Sequence, residues 1–265
     1  MEVHKHPHHI THKKKWTEYL LEFFMLFLAV FLGFLVENFR EHQVEQERTE
    51  KHMHTMVENL KYDTTRYGSN LRNNVIKCKG VDSFRYYISE AIEGRIDANR
   101  LYYYYWKYGR GSFNPVINDA AMAQLKSSGM LRMVKNDSLV NQMGDYYQRI
   151  VTTLDIARTA LAKSSDQLLE TYRLTFDLRG FDELLQRDTT YQVGRSAVVT
   201  SYFDNILQRN PPLKLLNTEP SNLHQLYNDV AVYELSLRTF DAYIRYCHNG
   251  ADSLMKQIIK EYKFE

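Results

Sequence analysis

The sequence predicts an all-α protein with one N-terminal transmembrane helix, a helical stalk and an extracytoplasmic antiparallel helical bundle. Only 11 glycines and 5 prolines interrupt 265 residues, which favours long helices over a turn-rich β fold. The segment from Phe23 to Val36 carries no polar side chain. Later segments repeat apolar residues every three or four positions, as one face of a helix requires.

Composition narrows the classes of function. The 34 basic and 32 acidic residues nearly cancel, so the chain lacks the positive charge typical of nucleic-acid-binding proteins, and we expect no nucleic-acid partner. The two cysteines, Cys78 and Cys247, exclude a disulfide framework and a Cys-based zinc finger. An oxidising compartment would permit one disulfide between them. The alternative is that both thiols are core residues, as isolated cysteines on apolar stripes commonly are.

Residues 1–18 predict a flexible cytoplasmic tail rich in histidine and lysine, and residues 19–39 predict the membrane span. The apolar segment is about 27 Å long as a helix, close to the ~30 Å hydrocarbon core. A buried soluble helix and a cleaved signal peptide are the alternatives, although Gly33 is the single small residue near a suitable cleavage position. The lysines at 13–15 precede the span, and a Lys/Arg excess marks the cytoplasmic side. The rest of the chain is therefore expected across the membrane.

Residues 40–52 are charged on all sides and predict a helical stalk, followed by a periplasmic helical domain at 53–265. From Met53 to Cys78 a seam recurs at steps of four and three, which favours a bundle helix over a long parallel coiled coil. Its positions are Met53, Val57, Leu60, Thr64, Tyr67, Leu71, Asn74 and Cys78. A second helix is expected from Asp82 to a stop at Gly94.

The remaining helices follow from capping and breaking residues. The segment from Leu101 to Pro115 is too short and aromatic to separate helix from strand. A helix from Ala120 to Ser127 should end at Gly129, and Asn136 should cap a helix running to about Leu178 and ended by Gly180.

An amphipathic piece is expected at 196–210, before Pro211-Pro212. Ser221 should cap the last long helix, in which Asn249-Gly250 would introduce a kink or a break. This helix and the one that follows Asn136 are expected to pack antiparallel and bury their apolar stripes.

Two blocks of the chain resemble a family of uncharacterised bacterial single-span inner-membrane proteins, a domain of unknown function. One is the glutamate-containing span with its polar exit, and the other is AMAQLKSSGMLRMVKNDSLVNQMGDYY. The matching positions are Glu22, Glu37, Asn38, Leu125, Lys126, Ser127, Ser128, Gly129, Asn136 and Tyr146. Leu21 and Phe39 depart from the family pattern. The resemblance covers residues 1–45 and 120–150; it implies an inner-membrane anchor with a periplasmic domain and implies no activity.

Glu22 lies in the span on the same helical stripe as Ala29, Gly33 and Glu37. Ala29 and Gly33 form a small-xxx-small pair that lets two helices approach closely, so this stripe is the predicted membrane-helix interface. Three roles remain open for the Glu22 carboxylate. It would reach the headgroup region and pair with lysines, hydrogen-bond a partner helix, or relay protons.

Other candidate sites have ordinary structural alternatives. The run of Tyr102, Tyr103, Tyr104, Tyr105 and Trp106 would form an interaction patch or pack between helices. The KSSG turn with Arg132 and Lys135 would bind an anion, although helix C-termini disfavour anions.

The histidines of the tail and the group at 50–58 would bind a metal or remain solvated. In the second group only His54 and Glu58 share a face, so we expect no metal and no cofactor.

No phosphate-binding loop, HExxH or GxSxG motif occurs in the chain, and we expect a protein that is not an enzyme. The function predicted from the sequence is a membrane-anchored scaffold or adaptor that forms homo- or hetero-oligomers with other membrane proteins in the lipid bilayer. The alternatives are a periplasmic sensor or accessory subunit of a membrane complex, an ion-coupled subunit using Glu22, and an enzyme acting on an envelope substrate.

Overall fold

The computed structural model describes residues 15–110, 117–179 and 206–264. Within these ranges the chain is helical, with one isolated antiparallel bridge between Phe176 and Leu215, so the all-α class is confirmed there. The helices are α1 (Trp16–Ile92), α2 (Ala98–Tyr108), α3 (Ala120–Ser127), a 3-10 helix (Met130–Met133), α4 (Asp137–Thr175) and α5 (Pro220–Tyr262).

Helix α1 is a single helix of 77 residues, which at ~1.5 Å per residue is about 115 Å long. The predicted break before Asp82 is wrong, because Val81, Phe84 and Ile88 continue the buried face of α1 without a helix-breaking residue. The predicted stop is confirmed, since Gly94 has a φ of 87°, a conformation that favours glycine. The segments predicted as span, stalk and first two domain helices therefore form one helix.

Helix α5 packs between α1 and α4 and runs antiparallel to both. Against α1, Asn74 donates to the backbone oxygen of Leu237 over 3.0 Å. Against α4, Asn136 at its start contacts Glu261 near the end of α5 over 2.9 Å. The core is formed by apolar side chains from these three helices, with the largest fully buried ones including Tyr67, Tyr172, Tyr233, Phe84, Phe240, Met53 and Leu60.

Helices α2 and α3 return along α1 towards its N-terminal half. Asp97 caps α2 by accepting from the backbone N–H of Arg100. Gly80 of α1 is buried under the ring of Tyr108, and a Cβ at this position would overlap that ring. Farther along, the side chain of Asn118 donates to Asn59 over 2.9 Å. The two short helices thus pack along the same length of α1 that α5 contacts.

The boundaries of the later helices agree in part with the sequence. Gly129 has a φ of 71° and closes α3, and the Asn136 side chain accepts from Leu139 N–H at the start of α4, as predicted. Helix α5 begins at Pro220 with Glu219 in the cap position, which is two residues before the predicted Ser221 cap. The expected break at Asn249-Gly250 is wrong: α5 continues, and Gly250 lies against the ring of Tyr146.

The domain of this chain begins before the end of the predicted stalk. Thr49 is buried, and Glu45 forms an ion pair of 2.8 Å with Arg132 beside the 3-10 helix. The part of the predicted stalk that stands clear of other elements is thus limited to residues 40–43. The predicted Gly180 stop and most of the amphipathic piece at 196–210 lie outside the described residues, as do most of the N-terminal tail and Pro115.

Candidate functional site

The N-terminal part of α1 is the candidate membrane span of the described chain. Its most apolar window has a mean hydropathy of 2.4, and none of that window is buried inside the protein. The rest of the chain therefore leaves the surface of this segment for lipid or for another protein to cover.

The predicted membrane-helix interface lies on this uncovered surface. Glu22, Ala29, Gly33 and Glu37 are all exposed, and a Cβ added at Gly33 would have no neighbour within 4 Å. Glu37, at the end of the stripe, pairs with Arg40, whose Nε donates to the Glu37 carboxylate over 3.0 Å. Glu37 is thus engaged within its own helix at the end of the apolar segment.

The opposite side of the span is bulky and aromatic. Phe23 and Phe27 stack with ring centroids 6.3 Å apart, and Phe27 and Phe31 stack at 5.8 Å. With 3.6 residues per turn, Phe31 lies about 180° around the helix from Glu22. The span therefore has one smooth face of small residues and one face of large rings.

The part of the domain nearest the span packs against the aromatic side of α1. The buried residues Thr49, Leu60 and Tyr67 lie about 180° around the helix from Glu22, at 3.6 residues per turn. Because α1 continues unbroken between the two regions, the small-residue face points away from α4 and α5. Farther along α1 the domain also reaches this side, since Gly80, about 40° around the helix from Glu22, is buried under Tyr108; a second helix could therefore approach the face along the span.

The aromatic run of α2 lies mostly in the core. Tyr102 and Tyr105 are 0% and 2% exposed, and Tyr103 is also buried. Tyr105 stacks on Tyr172 of α4 with ring centroids 3.4 Å apart. An interaction patch on the surface of the described structure would therefore be limited to the half-buried Tyr104 and Trp106, and the packing alternative accounts for the other three rings.

The two half-buried rings of that run are themselves engaged. Tyr104 stacks on Tyr87 of α1 at 5.3 Å, and the indole N–H of Trp106 donates to the Tyr172 hydroxyl over 2.8 Å. The Arg110 guanidinium lies 3.9 Å from the Trp106 ring centroid, a cation–π contact. These contacts attach α2 to both α1 and α4.

The KSSG turn forms the junction between α3 and the 3-10 helix. Ser127 and Ser128 donate to the backbone oxygen of Gln124 over 3.2 Å and 2.7 Å, so both hydroxyls complete the end of α3. Lys126 and Lys135 are exposed on either side of the turn. The geometry is that of an ordinary helix C-terminus, which is the structural alternative to anion binding at this turn.

The core contains a polar cluster that the sequence did not predict. This buried polar cluster consists of Asp63, Tyr67, Tyr146 and Tyr147. Asp63 is 1% exposed and accepts from the backbone N–H of Asn118 over 3.3 Å. Its other carboxylate oxygen and the three phenolic hydroxyls have no hydrogen-bond partner among the described residues. Buried polar atoms of this kind usually find a partner, so the cluster is an unusual feature of the core.

The apolar seam in the sequence passes through this cluster, but one of its predicted core positions is one residue too late. Thr64 was assigned to the buried stripe, whereas Thr64 is half-buried and Asp63 takes the core position. An acidic residue on an apolar seam argues for solvent exposure, because charged side chains are rarely buried unless they are paired. Burial raises the pKa of Asp63 to about 6, against the opposing effects of the Asn118 N–H and the Arg66 charge.

A second charged network links α1 to α5. Glu234 is buried and accepts from Arg85 over 2.7 Å and from Arg238 over 2.7 Å. Burial alone would raise the pKa of Glu234, but these hydrogen bonds hold it below its usual value. Arg85 also donates to the Tyr227 hydroxyl over 2.7 Å. Because the buried Glu234 carboxylate is paired with two arginines, this network has the character of a structural contact.

Grooves of about 390 Å³ and 730 Å³ lie next to each other between α4 and α5. They share Asp145, Arg149 and Tyr246, and the smaller one is also lined by Tyr146 and Gly250. Tyr146, a member of the buried polar cluster, therefore also lines the smaller groove. Both grooves are open, and neither brings together a set of catalytic groups.

No group of three or more His, Cys, Asp or Glu side chains suited to a metal ion occurs within residues 15–110, 117–179 and 206–264. Cys78 and Cys247 are both free thiols. No family model, no curated protein and no solved structure matches the chain. Its function is therefore inferred from its own residues.

Proposed function

We propose that this chain is a non-enzymatic, membrane-anchored scaffold or adaptor. Its span assembles with another helix through the stripe of Glu22, Ala29, Gly33 and Glu37. Its helical bundle, residues 53–265, binds protein partners in the periplasm of a bacterium, with the N-terminal tail in the cytoplasm. The Lys-rich segment before the span supports this orientation.

The continuity of α1 is the observation that carries the proposal. One helix runs from the candidate span into the core of the domain, so a contact made in the membrane fixes the direction of the domain outside it. A flexible linker would lose that direction within a few residues. A rigid connection of this kind suits a protein that positions partners relative to the membrane.

The position of the domain supports the assignment of the small-residue face as the interface. Gly33 is uncovered, and the domain lies on the other side of α1. Two helices can approach closely at such a face, because packing and interhelical hydrogen bonds stabilise association in lipid. A Glu22 carboxyl in that contact would form one of those hydrogen bonds.

The test is the mass of the complex extracted gently from native membranes. Gly33→Leu places a branched side chain on the close-contact face, and we expect it to lose the assembled species. Glu22→Gln keeps the shape and removes the charge, and we expect it to shift the proportion of assembled protein. Phe27→Leu on the aromatic face is the matched control, and it should leave the mass unchanged.

A result in which Gly33→Leu and Phe27→Leu both retain the parental mass would contradict the interface. Thermal unfolding of each variant in detergent separates lost assembly from lost folding. Since the span contributes nothing to the buried core, all variants should unfold at the parental temperature.

The second candidate function is a sensor or accessory subunit of a membrane complex. The buried polar cluster favours it, because Asp63 and Tyr67 belong to the same helix that forms the candidate span. A ligand that altered this cluster would act directly on α1. A compound that raises the unfolding temperature of the full chain, but not that of an Asp63→Asn variant, would support this alternative over a scaffold.

A further inference from the structure

The segment of the domain nearest the candidate span is the turn between α3 and α4. It includes the 3-10 helix Met130–Met133 and, around it, residues 126–135. Arg132 at this turn pairs with Glu45 over 2.8 Å. Glu45 lies about 9 Å beyond Phe39 along α1, at ~1.5 Å per residue. A bilayer has a headgroup layer of about 5–7 Å on each side of its hydrocarbon core, so the turn lies just above that layer, within reach of long basic side chains.

We propose that this turn, residues 126–135, rests on the membrane and binds anionic phospholipid headgroups. The inference depends on the membrane anchoring proposed above. It adds a second contact with the bilayer, one that comes from the domain and not from the span.

The charge of the turn fits an anionic surface. No acidic residue occurs between Asp119 and Asp137, whereas Lys126, Arg132 and Lys135 are all exposed. Arg132 is already offset by Glu45. The two lysines form no ion pair within the part of the chain that the structure describes, since the ion pairs there join other residues.

The opposing charges at this level of α1 are few. Glu37 is paired with Arg40, which leaves Glu41 and Glu47 as the exposed acids on the nearby surface of the helix, with Asp137 next to the turn itself. A lysine near an anionic membrane surface contributes about 1 kcal/mol. The two lysines together therefore contribute about 2 kcal/mol, or roughly thirtyfold in the ratio of docked to undocked turns, of which the nearby acids offset a part.

The turn also has apolar side chains at its tip. Met130 and Leu131 pack against the core with part of each side chain still exposed, while Leu125 and Val134 on either side are fully within the core. Gly129, with its φ of 71°, turns the chain so that the lysines and the two apolar residues occupy one compact loop. Basic side chains next to apolar ones are typical of surfaces that lie at the membrane interface.

The experiment places an environment-sensitive label at three single positions of the full chain in vesicles that carry lipid-attached quenchers. The positions are Leu131→Cys in the turn, Val30→Cys in the span and Ile96→Cys in the turn after α1, each in a Cys78→Ser background. Cys247 is buried, and burial raises the pKa of its thiol to about 12, so it should not react. Ile96 is 44% exposed and is the matched control for a membrane-distant loop.

We expect quenching at position 30 in all vesicles, quenching at position 131 in vesicles with about one-third phosphatidylglycerol, and none at position 96. Replacing both lysines, Lys126→Gln with Lys135→Gln, should lower the docked-to-undocked ratio at position 131 by about thirtyfold. In pure phosphatidylcholine, the parental protein should resemble this double variant.

Failure of the inference and failure of the anchoring have different signatures. Quenching at 30 with none at 131 would overturn the headgroup contact and leave the anchor intact. No quenching at 30 would overturn the anchor itself. Shielding of position 131 from aqueous iodide in lipid-free detergent would show that protein covers the turn, for instance a second copy of the chain, and would also overturn the proposal.

Discussion

The two halves of α1 have the same secondary structure and opposite surroundings. From Trp16 to Phe39 every side chain is exposed, and large apolar residues face outward on all sides except at Ala29 and Gly33. From Thr49 to Ala91 one stripe is buried against the other helices of the chain. The difference is that no other described part of the chain covers the first half, while the second half is stabilised by the other helices.

Each half of α1 also carries an acid on an apolar surface, with different consequences. Glu22 is exposed at one end of the span, whereas Asp63 is buried in the core with one carboxylate oxygen unpaired. A carboxyl buried without a cation tends to hold its proton. The chain therefore places one acid where a partner helix or the headgroups can reach it and the other where they cannot.

The comparison is tested most strongly by shortening one leucine in each half. Leu60→Ala removes a side chain that is 0% exposed, and we expect it to lower the free energy of unfolding by about 3 kcal/mol. This corresponds to a decrease of about 6–12 °C in the unfolding temperature of a domain of this size. The measurement is thermal unfolding of the purified protein in detergent, followed by circular dichroism.

Leu28→Ala is the matched change in the span half, where Leu28 is 46% exposed. Its unfolding temperature should stay within about 1 °C of the parental value, because surface changes away from packed contacts alter stability by less than ~0.5 kcal/mol. Equal losses for the two variants would show that the span folds against the domain. The contrast between the two halves would then be wrong.

A smaller effect, of opposite sign, is expected from Asp63→Asn. The pKa of Asp63 is about 6 in the folded protein and about 3.9 in an unfolded chain, so the folded state binds more protons between these values. The free energy of unfolding therefore falls as the pH rises from about 4 to 6. At pH 7 the variant should be more stable by about 1–2 kcal/mol, and at pH 4 the difference should vanish.

Glu58→Gln is the control for this change, since Glu58 is exposed on the same helix. Its free energy of unfolding should equal that of the parental protein at pH 4 and at pH 7, because other titrating groups affect parent and variants equally. Denaturant unfolding at pH 4, 5, 6 and 7 provides the measurement. A less stable Asp63→Asn protein at pH 7 would indicate that a cation engages the carboxylate, contrary to its unpaired position.

These regions also show what the sequence could and could not predict. The apolar run predicted the candidate span, and local signals such as Gly94, Gly129 and Asn136 predicted helix ends, because each acts within one turn. The break at Asp82 was wrong since a capping residue competes poorly with a buried face that continues through it. The seam included Thr64 because it followed alternating steps of four and three, whereas Asp63 takes the core position.

Long-range packing was the part that local patterns could not supply. The tyrosine run of α2 fits a surface patch as well as a core, and only its contact with Tyr172 of α4 decides which rings are covered. The position of the domain relative to the Glu22 stripe depends in the same way on α1 remaining unbroken beyond Phe39. Sequence periodicity defines a face but not what lies against it.

The smallest effect is expected from reducing agents, because Cys78 and Cys247 lie at different levels of the α1–α5 contact. Cys78 borders the groove lined by Arg238 and Asp241. Cys247 is about 9 Å farther along α5 than Asp241, at ~1.5 Å per residue. A disulfide requires Cα atoms about 4.4–6.8 Å apart, so the two cannot join without movement of a helix. Dithiothreitol should change the unfolding temperature by less than about 1 °C.

Intact mass before and after reduction, with alkylation of unfolded protein, checks the same point directly: both thiols should be modified without reductant. A Cys78→Ser variant should likewise unfold at a temperature within about 1 °C of the parent, since Cys78 is half-buried and its loss removes no covalent link. A mass that accepts alkylation only after reduction would mean that α5 slides along α1. Non-covalent burial would then no longer suffice to explain why one half of α1 is held by this chain and the other half is not.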